Sequence, residues 1–285
     1  MNLFTLMLLV RAEVSKLLSR TTARAGLGLL VLMAMGIVGF SLLVSSTVEV
    51  SDPSSGAADA MQFTVVGVVS TVLWFRNIFV FRFLLIALIA LSVAGELAAR
   101  TLREDLVRPV PRWSIYLAKA WALGLYTLMA LVLPSVTAGC LAAVWFPVGE
   151  GGVDMAMAHG LTFVCDLGFG SLVILIALMS RAVSGTVVGV VLYWLAEQAL
   201  GLALWGAASF RNAAGQQLEI PPWVDTVINA RPYLPSSAFN LYAVWTPDAA
   251  SWQEALPLES VAALMLFLAL FTGAGVWRFS TMDVD

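Results

Sequence analysis

The sequence predicts an all-α membrane protein with six transmembrane helices, an amphipathic amino-terminal helix and a charged cytoplasmic segment between spans 2 and 3. Three observations carry that expectation. Hydrophobic residues make up 60% of the 285 positions and charged residues only 12%, against about half and about a quarter in soluble domains. The apolar residues fall in separate runs, most of them near the ~20 residues that a bilayer requires. The charges gather between the runs, sorted by sign. A single membrane domain over residues 1–285 follows, since six spans and their connections leave no room for a large soluble domain.

Residues 1–24 mix Phe4, Leu8, Val14, Leu17 and Leu18 with Arg11, Glu13, Lys16 and Arg20. That suits a helix lying in the headgroup plane, an elbow ahead of the first span at 25–44. This first apolar run is too long for the core of a signal peptide, so it is expected to be retained as a span. Residues 45–60 are polar and hold Glu49, Asp52 and Asp59 but no lysine or arginine. Residues 61–75 are apolar, Arg76-Asn77 interrupts them, and 78–95 are apolar again. If both runs crossed, Arg100, Arg103, Arg108, Arg112 and Lys119 would lie opposite the basic amino terminus, against the positive-inside rule. Span 2 is therefore placed at 78–95, with 61–75 an outer-leaflet, re-entrant or helix-extending piece.

Span 3 is expected at 117–146, passing through Pro134, because membrane helices tolerate proline where neighbours satisfy the freed backbone. An acidic connection with Glu150 and Asp154 leads to span 4 at 159–179. A tight turn around Arg181 leads to span 5 at 186–206. Residues 207–257, rich in proline and tryptophan, form an external loop, and span 6 at 258–277 ends at Arg278. In this threading eleven of the fifteen basic residues face inward: four before span 1, five from Arg100 to Lys119, then Arg181 and Arg278. Both termini are then cytoplasmic, in a multi-pass protein of the plasma (inner) membrane.

Several functions find no support in the residues. The net charge of -3 does not suggest a nucleic-acid partner. Cys140 and Cys165 sit singly in apolar runs, as packing residues rather than a disulfide or zinc pair. Lysine occurs only at positions 16 and 119, and no G-x-x-x-x-G-K-[ST] cradle is present, so the chain has no ATPase site of its own. Gly168-Phe169-Gly170-Ser171 could suggest a serine nucleophile, but the single histidine, His159, lies upstream on the same helix. No catalytic set is expected. Met155, Met157 and His159 are weak candidates for a soft metal, although methionine is common packing filler in spans. Ionisable residues inside spans face a bundle interior or a wet cavity. Arg82, Asp166 and Glu197 are thus candidates for a translocation path or an intramembrane charge pair, with a purely structural bridge the competing reading.

The segment 96–112 carries the functional expectation. If helical, Glu96, Arg100, Arg103 and Glu104 share one polar sector, and Arg108-Pro109 stops the helix because the residue before proline leaves the α region. A short charged amphipathic helix between two spans is the form of a coupling helix, through which a membrane subunit sits on a cytosolic motor. The run Glu96, Thr101-Leu102, Arg108-Pro109-Val110, Arg112 and Lys119 resembles the signature of ABC-2 type permeases, the membrane subunits of a class of ABC transporters. The basic amphipathic start, the six spans and the long loop before the last span extend the resemblance. Before the Thr-Leu pair, where that family usually has glycine, this chain has Arg100.

The resemblance implies a permease subunit that couples ATP hydrolysis by a separate ABC ATPase to substrate movement, in the direction of export. It implies a second permease copy or a related chain, with ATP and Mg bound by the partner subunit. Glu96, Arg100, Thr101, Arg103, Glu104, Arg108, Arg112 and Arg181 are then the ATPase-coupling residues. The alternative is a scaffold or anchor subunit that recruits cytosolic partners through the same loop and transports nothing.

Overall fold

The computed structural model describes residues 3–48, 63–101, 110–214 and 258–282. Every regular element among them is helical. They are α1 (Leu3–Ser19), α2 (Thr21–Val48), α3 (Val65–Phe75), α4 (Phe81–Ile89), α5 (Gly95–Ala98), α6 (Arg112–Ala142), α7 (Gly152–Ser180), α8 (Val183–Ala214) and α9 (Leu258–Thr281). Two π-helical turns, Arg76–Val80 and Ala90–Ala94, join α3 to α4 and α4 to α5. Helix is the open-chain conformation that satisfies its own backbone in lipid. Among the described residues, five stretches are long and apolar enough to cross a membrane: Thr21–Thr47, Phe81–Ala98, Arg112–Ala142, Gly152–Ser180 and Glu259–Thr281. The chain is therefore a multi-pass membrane protein. Val65–Phe75 and Val183–Glu197 are shorter apolar stretches.

Several helices outrun the predicted spans. α2 begins at Thr21, α6 at Arg112 and α7 at Gly152, while α8 continues past the predicted end at Gly206 to Ala214. α6 stops at Ala142, short of the predicted boundary at Phe146. The predicted external loop lies outside the described residues from Gly215 to Pro257. The break at Arg76-Asn77 is not a loop. Phe81 N–H bonds the Arg76 carbonyl, a five-residue return that wedges one extra residue into a continuing helix. Of the three forms expected for 61–75, the described part is the helix-extending one.

The described residues fall into two compact units. One holds those up to Leu88 together with Leu117–Phe163; the other holds Ile89–Tyr116 and those from Val164 onward.

In the first unit, Ala34 and Val38 of α2, Val68, Val69 and Val72 of α3, and Ala138 and Ala142 of α6 form one core. Small residues allow the close helix approach that dispersion needs in a solvent as apolar as the side chains. Val65 and Val66 donate their N–H groups to the carbonyls of Pro147 and Val148, at 2.9 and 3.2 Å, stitching the start of α3 to the connection after α6. Gly149 in that connection has φ +78°, and a Cβ there would come within 2.6 Å of Thr64 Cβ. Both the left-handed backbone and the missing space demand glycine. Lys119 of α6 is paired with Glu13 of α1 at 2.9 Å, largely shielded from solvent, and Tyr126 Oη donates to the Ala23 carbonyl at 3.0 Å.

In the second unit the π-turn Ala90–Ala94 packs on α8. Gly95 faces Val183, where a Cβ would sit 3.6 Å from Cγ2. Tyr116 and Phe279 stack obliquely with ring centroids 6.0 Å apart, and Arg112 Nη1 donates to the Met282 carbonyl at 2.8 Å.

Candidate functional site

Two groups of side chains stand out, one exposed at helix ends of the second unit and one buried in the first.

The exposed group begins where α5 ends. Arg100 has φ 59°, the left-handed conformation that stops a helix and that glycine adopts most readily. Arg100 N–H reaches the Leu97 carbonyl at 3.1 Å, and Thr101 Oγ1 donates to the Glu96 carbonyl at 3.4 Å. The terminal carbonyls are thus covered. α7 ends in the same way: Arg181 has φ 52°, and its N–H bonds the Ala177 carbonyl at 3.0 Å. These two arginines are the non-glycine residues with positive φ among the described residues. A cation at a helix carboxyl end also complements the macrodipole. Arg100, Thr101 and Arg181 are exposed, and five residues before Arg100 a Cβ on Gly95 would lie 3.6 Å from Val183 Cγ2.

This differs from the expected coupling helix. A continuous helix from Glu96 is broken at Ala99–Thr101 because Arg100 turns left-handed. Glu96 does not share the exposed surface: it is 5% exposed, buried on α5. Arg112, exposed at the start of α6, is tied to Met282. Arg103, Glu104 and Arg108 lie outside the described residues.

The buried group centres on Arg76, fully enclosed in the π-turn after α3. Its Nε donates to the Ala130 carbonyl at 3.1 Å, and its Nη1 to Asn77 Oδ1 at 2.6 Å. Its Cζ lies 3.8 Å from the Phe81 ring centroid, an attraction that strengthens without water. Ala130 stands four residues before Pro134, so its carbonyl is the one that the missing proline N–H leaves open in α6. Asn77 Nδ2 reaches Thr162 Oγ1 of α7 at 3.5 Å.

One residue past the proline, Ser135 Oγ meets His159 Nε2 at 2.8 Å. His159 Nδ1 lies 2.7 Å from the Met155 carbonyl. A carbonyl only accepts, so Nδ1 carries a proton. Both ring nitrogens are thereby engaged, and Met157 points outward at 55% exposure. The soft-metal trio does not converge on a free donor set. No group of three or more His, Cys, Asp or Glu that could hold a metal occurs among the described residues.

The three intramembrane charges differ in burial and in the unit to which they belong. Arg82, half-buried on α4, belongs to the first unit, while Asp166, 4% exposed, and Glu197, half-buried, belong to the second. Glu197 accepts a hydrogen bond from Tyr193 one turn earlier. Ser171 donates to the Gly168 carbonyl at 2.7 Å. The sequence reading passed over Arg76 as the organiser of the buried cluster, although an arginine inside an apolar run and a proline inside another were both visible signals. No family model matches the chain, and no curated protein matches it significantly.

Proposed function

We propose that this chain is the membrane-spanning permease subunit of an ATP-driven transporter of the ABC-2 type, acting in export and working with a separate cytosolic ABC ATPase and a second permease copy. The observation that carries the reading is the backbone of Arg100. The resembled signature usually has glycine there, and the chain adopts at that residue the left-handed conformation that glycine favours. The left-handed turn at Arg181 supplies a second exposed cation in the same unit. Exposed connections of this kind offer a motor a place to push.

Counting α8 as a further span gives six, with both termini cytoplasmic in the inner membrane. The contacts at helix ends agree with that threading. Arg112 meets Met282 and Gly95 meets Val183, both pairs on the inner side of the six-span plan. Val65 meets Pro147 on the outer side. ATP and Mg would be bound by the partner, whose closure would shift the spans between states by differential contact.

The test is to purify the chain from its own cells with associated proteins and measure ATPase activity, for the native protein and for Arg100→Glu and Arg181→Glu. Recovery of an ABC ATPase whose activity responds to the permease, with recovery or coupling lost in the variants, supports the proposal. Cytosolic partners without any ATPase would favour the scaffold instead.

A further inference from the structure

Helix α1 was expected to lie flat with one apolar face, but the structure divides its apolar residues. Leu17 is buried in the first unit and Val14 and Leu18 are half-buried, whereas Phe4, Met7 and Leu8 are exposed, at 66, 60 and 50%. Phe4, Leu8, Arg11, Ser15 and Ser19 are all exposed and follow one another at helical spacing of three and four residues. The outward stripe is therefore apolar over its first turns and polar from Arg11 on.

Such a stripe fits neither water nor acyl chains along its whole length. It fits a boundary. Leu8 and Arg11 are separated by about 4.5 Å along the axis, close to the change from acyl chain to phosphate, and an arginine stem can lie in the apolar zone while its head reaches the phosphates.

The charges select the kind of boundary. Glu13 is the acidic residue of α1 and its charge is matched by Lys119 at 2.9 Å. Arg11 and Arg24 are exposed, and Arg24 Nη2 reaches back to the Ser19 carbonyl at 3.2 Å, which holds its guanidinium at the end of α1. Lys16 and Arg20 add positive charge to the same elbow.

We propose that α1, together with Arg24 at the start of α2, is an oblique anchor for anionic phospholipid, with Phe4, Met7 and Leu8 in the acyl region and Arg11 and Arg24 on the headgroup phosphates. The proposal stands apart from the transporter reading, since it needs no ATPase. Each exposed arginine near an anionic surface strengthens association by about fivefold.

The experiment uses the full chain with Ser15→Cys in a Cys140→Ala/Cys165→Ala background, labelled with a fluorophore and reconstituted in mixed vesicles. Energy transfer is measured to headgroup-labelled phosphatidylglycerol or phosphatidylcholine. Phosphatidylglycerol is expected to be enriched at the label, with the preference weakened about fivefold by Arg11→Gln and further by Arg11→Gln/Arg24→Gln. A Phe4→Ser/Leu8→Ser variant should lower transfer to both lipids while keeping the anionic preference. Equal transfer to the two lipids in the parent, or a preference untouched by the double arginine variant, overturns the proposal. So does disulfide crosslinking between copies through the cysteine at position 15 whatever the lipid composition, because the face would then be an interface between copies.

Discussion

The Nε of Arg76 sits 3.1 Å from the carbonyl oxygen of Ala130, the acceptor that Pro134 leaves without its helical donor. An arginine from one helix thus completes the backbone of another, where no water is at hand to do so. Hydrogen bonds to charged groups contribute about 1.5–3 kcal/mol, and leaving a buried partner unmet costs more than the bond gains. Arg76 and Pro134 should accordingly be coupled. Arg76→Met is expected to destabilise the protein by about 2–4 kcal/mol. The loss should shrink by about 1–2 kcal/mol in a Pro134→Ala background, where residue 134 supplies its own N–H. Equilibrium unfolding of the four proteins in detergent checks this, and strict additivity would sink it.

The left-handed backbone at Arg100 and Arg181 leads to a separation of stability from function. Arg100→Gly and Arg181→Gly should each stabilise the fold by about 0.5–1 kcal/mol, because glycine adopts that conformation without the Cβ clash. Arg100→Val should do the reverse. Under the transporter reading, Arg100→Gly would keep ATPase recovery while raising thermal stability, since the resembled signature has glycine there. A fall in stability with glycine would show that the side chain matters more to the fold than the backbone does.

The Glu13–Lys119 pair ties α1 to α6 with little solvent around it. Removing one partner leaves a shielded charge alone, so Glu13→Gln or Lys119→Met should each cost about 1–3 kcal/mol, less than a fully buried pair. The double variant should recover part of that loss. Protease sensitivity of α1 and the unfolding midpoint report it together; a double variant worse than the sum of the singles contradicts the pairing.

Gly275 of α9 lies against the ring and hydroxyl of Tyr116, where a Cβ has no space. The Tyr116 hydroxyl is buried without a hydrogen-bond partner, so its removal forfeits little. Gly275→Ala should therefore destabilise by about 1–3 kcal/mol through overpacking; Tyr116→Phe, near neutral alone, should relieve only a minor part of that effect, because Cζ and Cε2 of the ring would still lie 2.7 and 2.9 Å from the new Cβ. Melting temperatures of the single and double variants decide the matter.

Topology is open to chemical labelling. Cysteines placed at Glu150 and Arg181, both exposed, in a background without Cys140 and Cys165, should react from opposite sides with an impermeant thiol reagent. Position 150 is expected to label from outside in intact cells and position 181 only after permeabilisation. Labelling of both from outside is incompatible with six spans.

The sequence by itself determined that the chain is helical and membrane-borne, because long apolar runs have one economical way to satisfy their backbone in lipid. It also placed Arg181 in a tight turn between two spans, on the side where the cations gather. The extension of α3 into α4 was not legible, since an Arg-Asn pair in an apolar run looks the same whether it turns the chain or swells the helix by one residue. Nor was the burial of Glu96, which a helical wheel placed beside exposed arginines. Only the tertiary structure decided these. Whether Arg76 can enter an apolar interior depends on an acceptor 54 positions away, and Arg100 ends a helix through a backbone angle that its residue type disfavours. Side-chain pattern reports the solvent each residue prefers; partner identity comes from which helices the fold sets against one another.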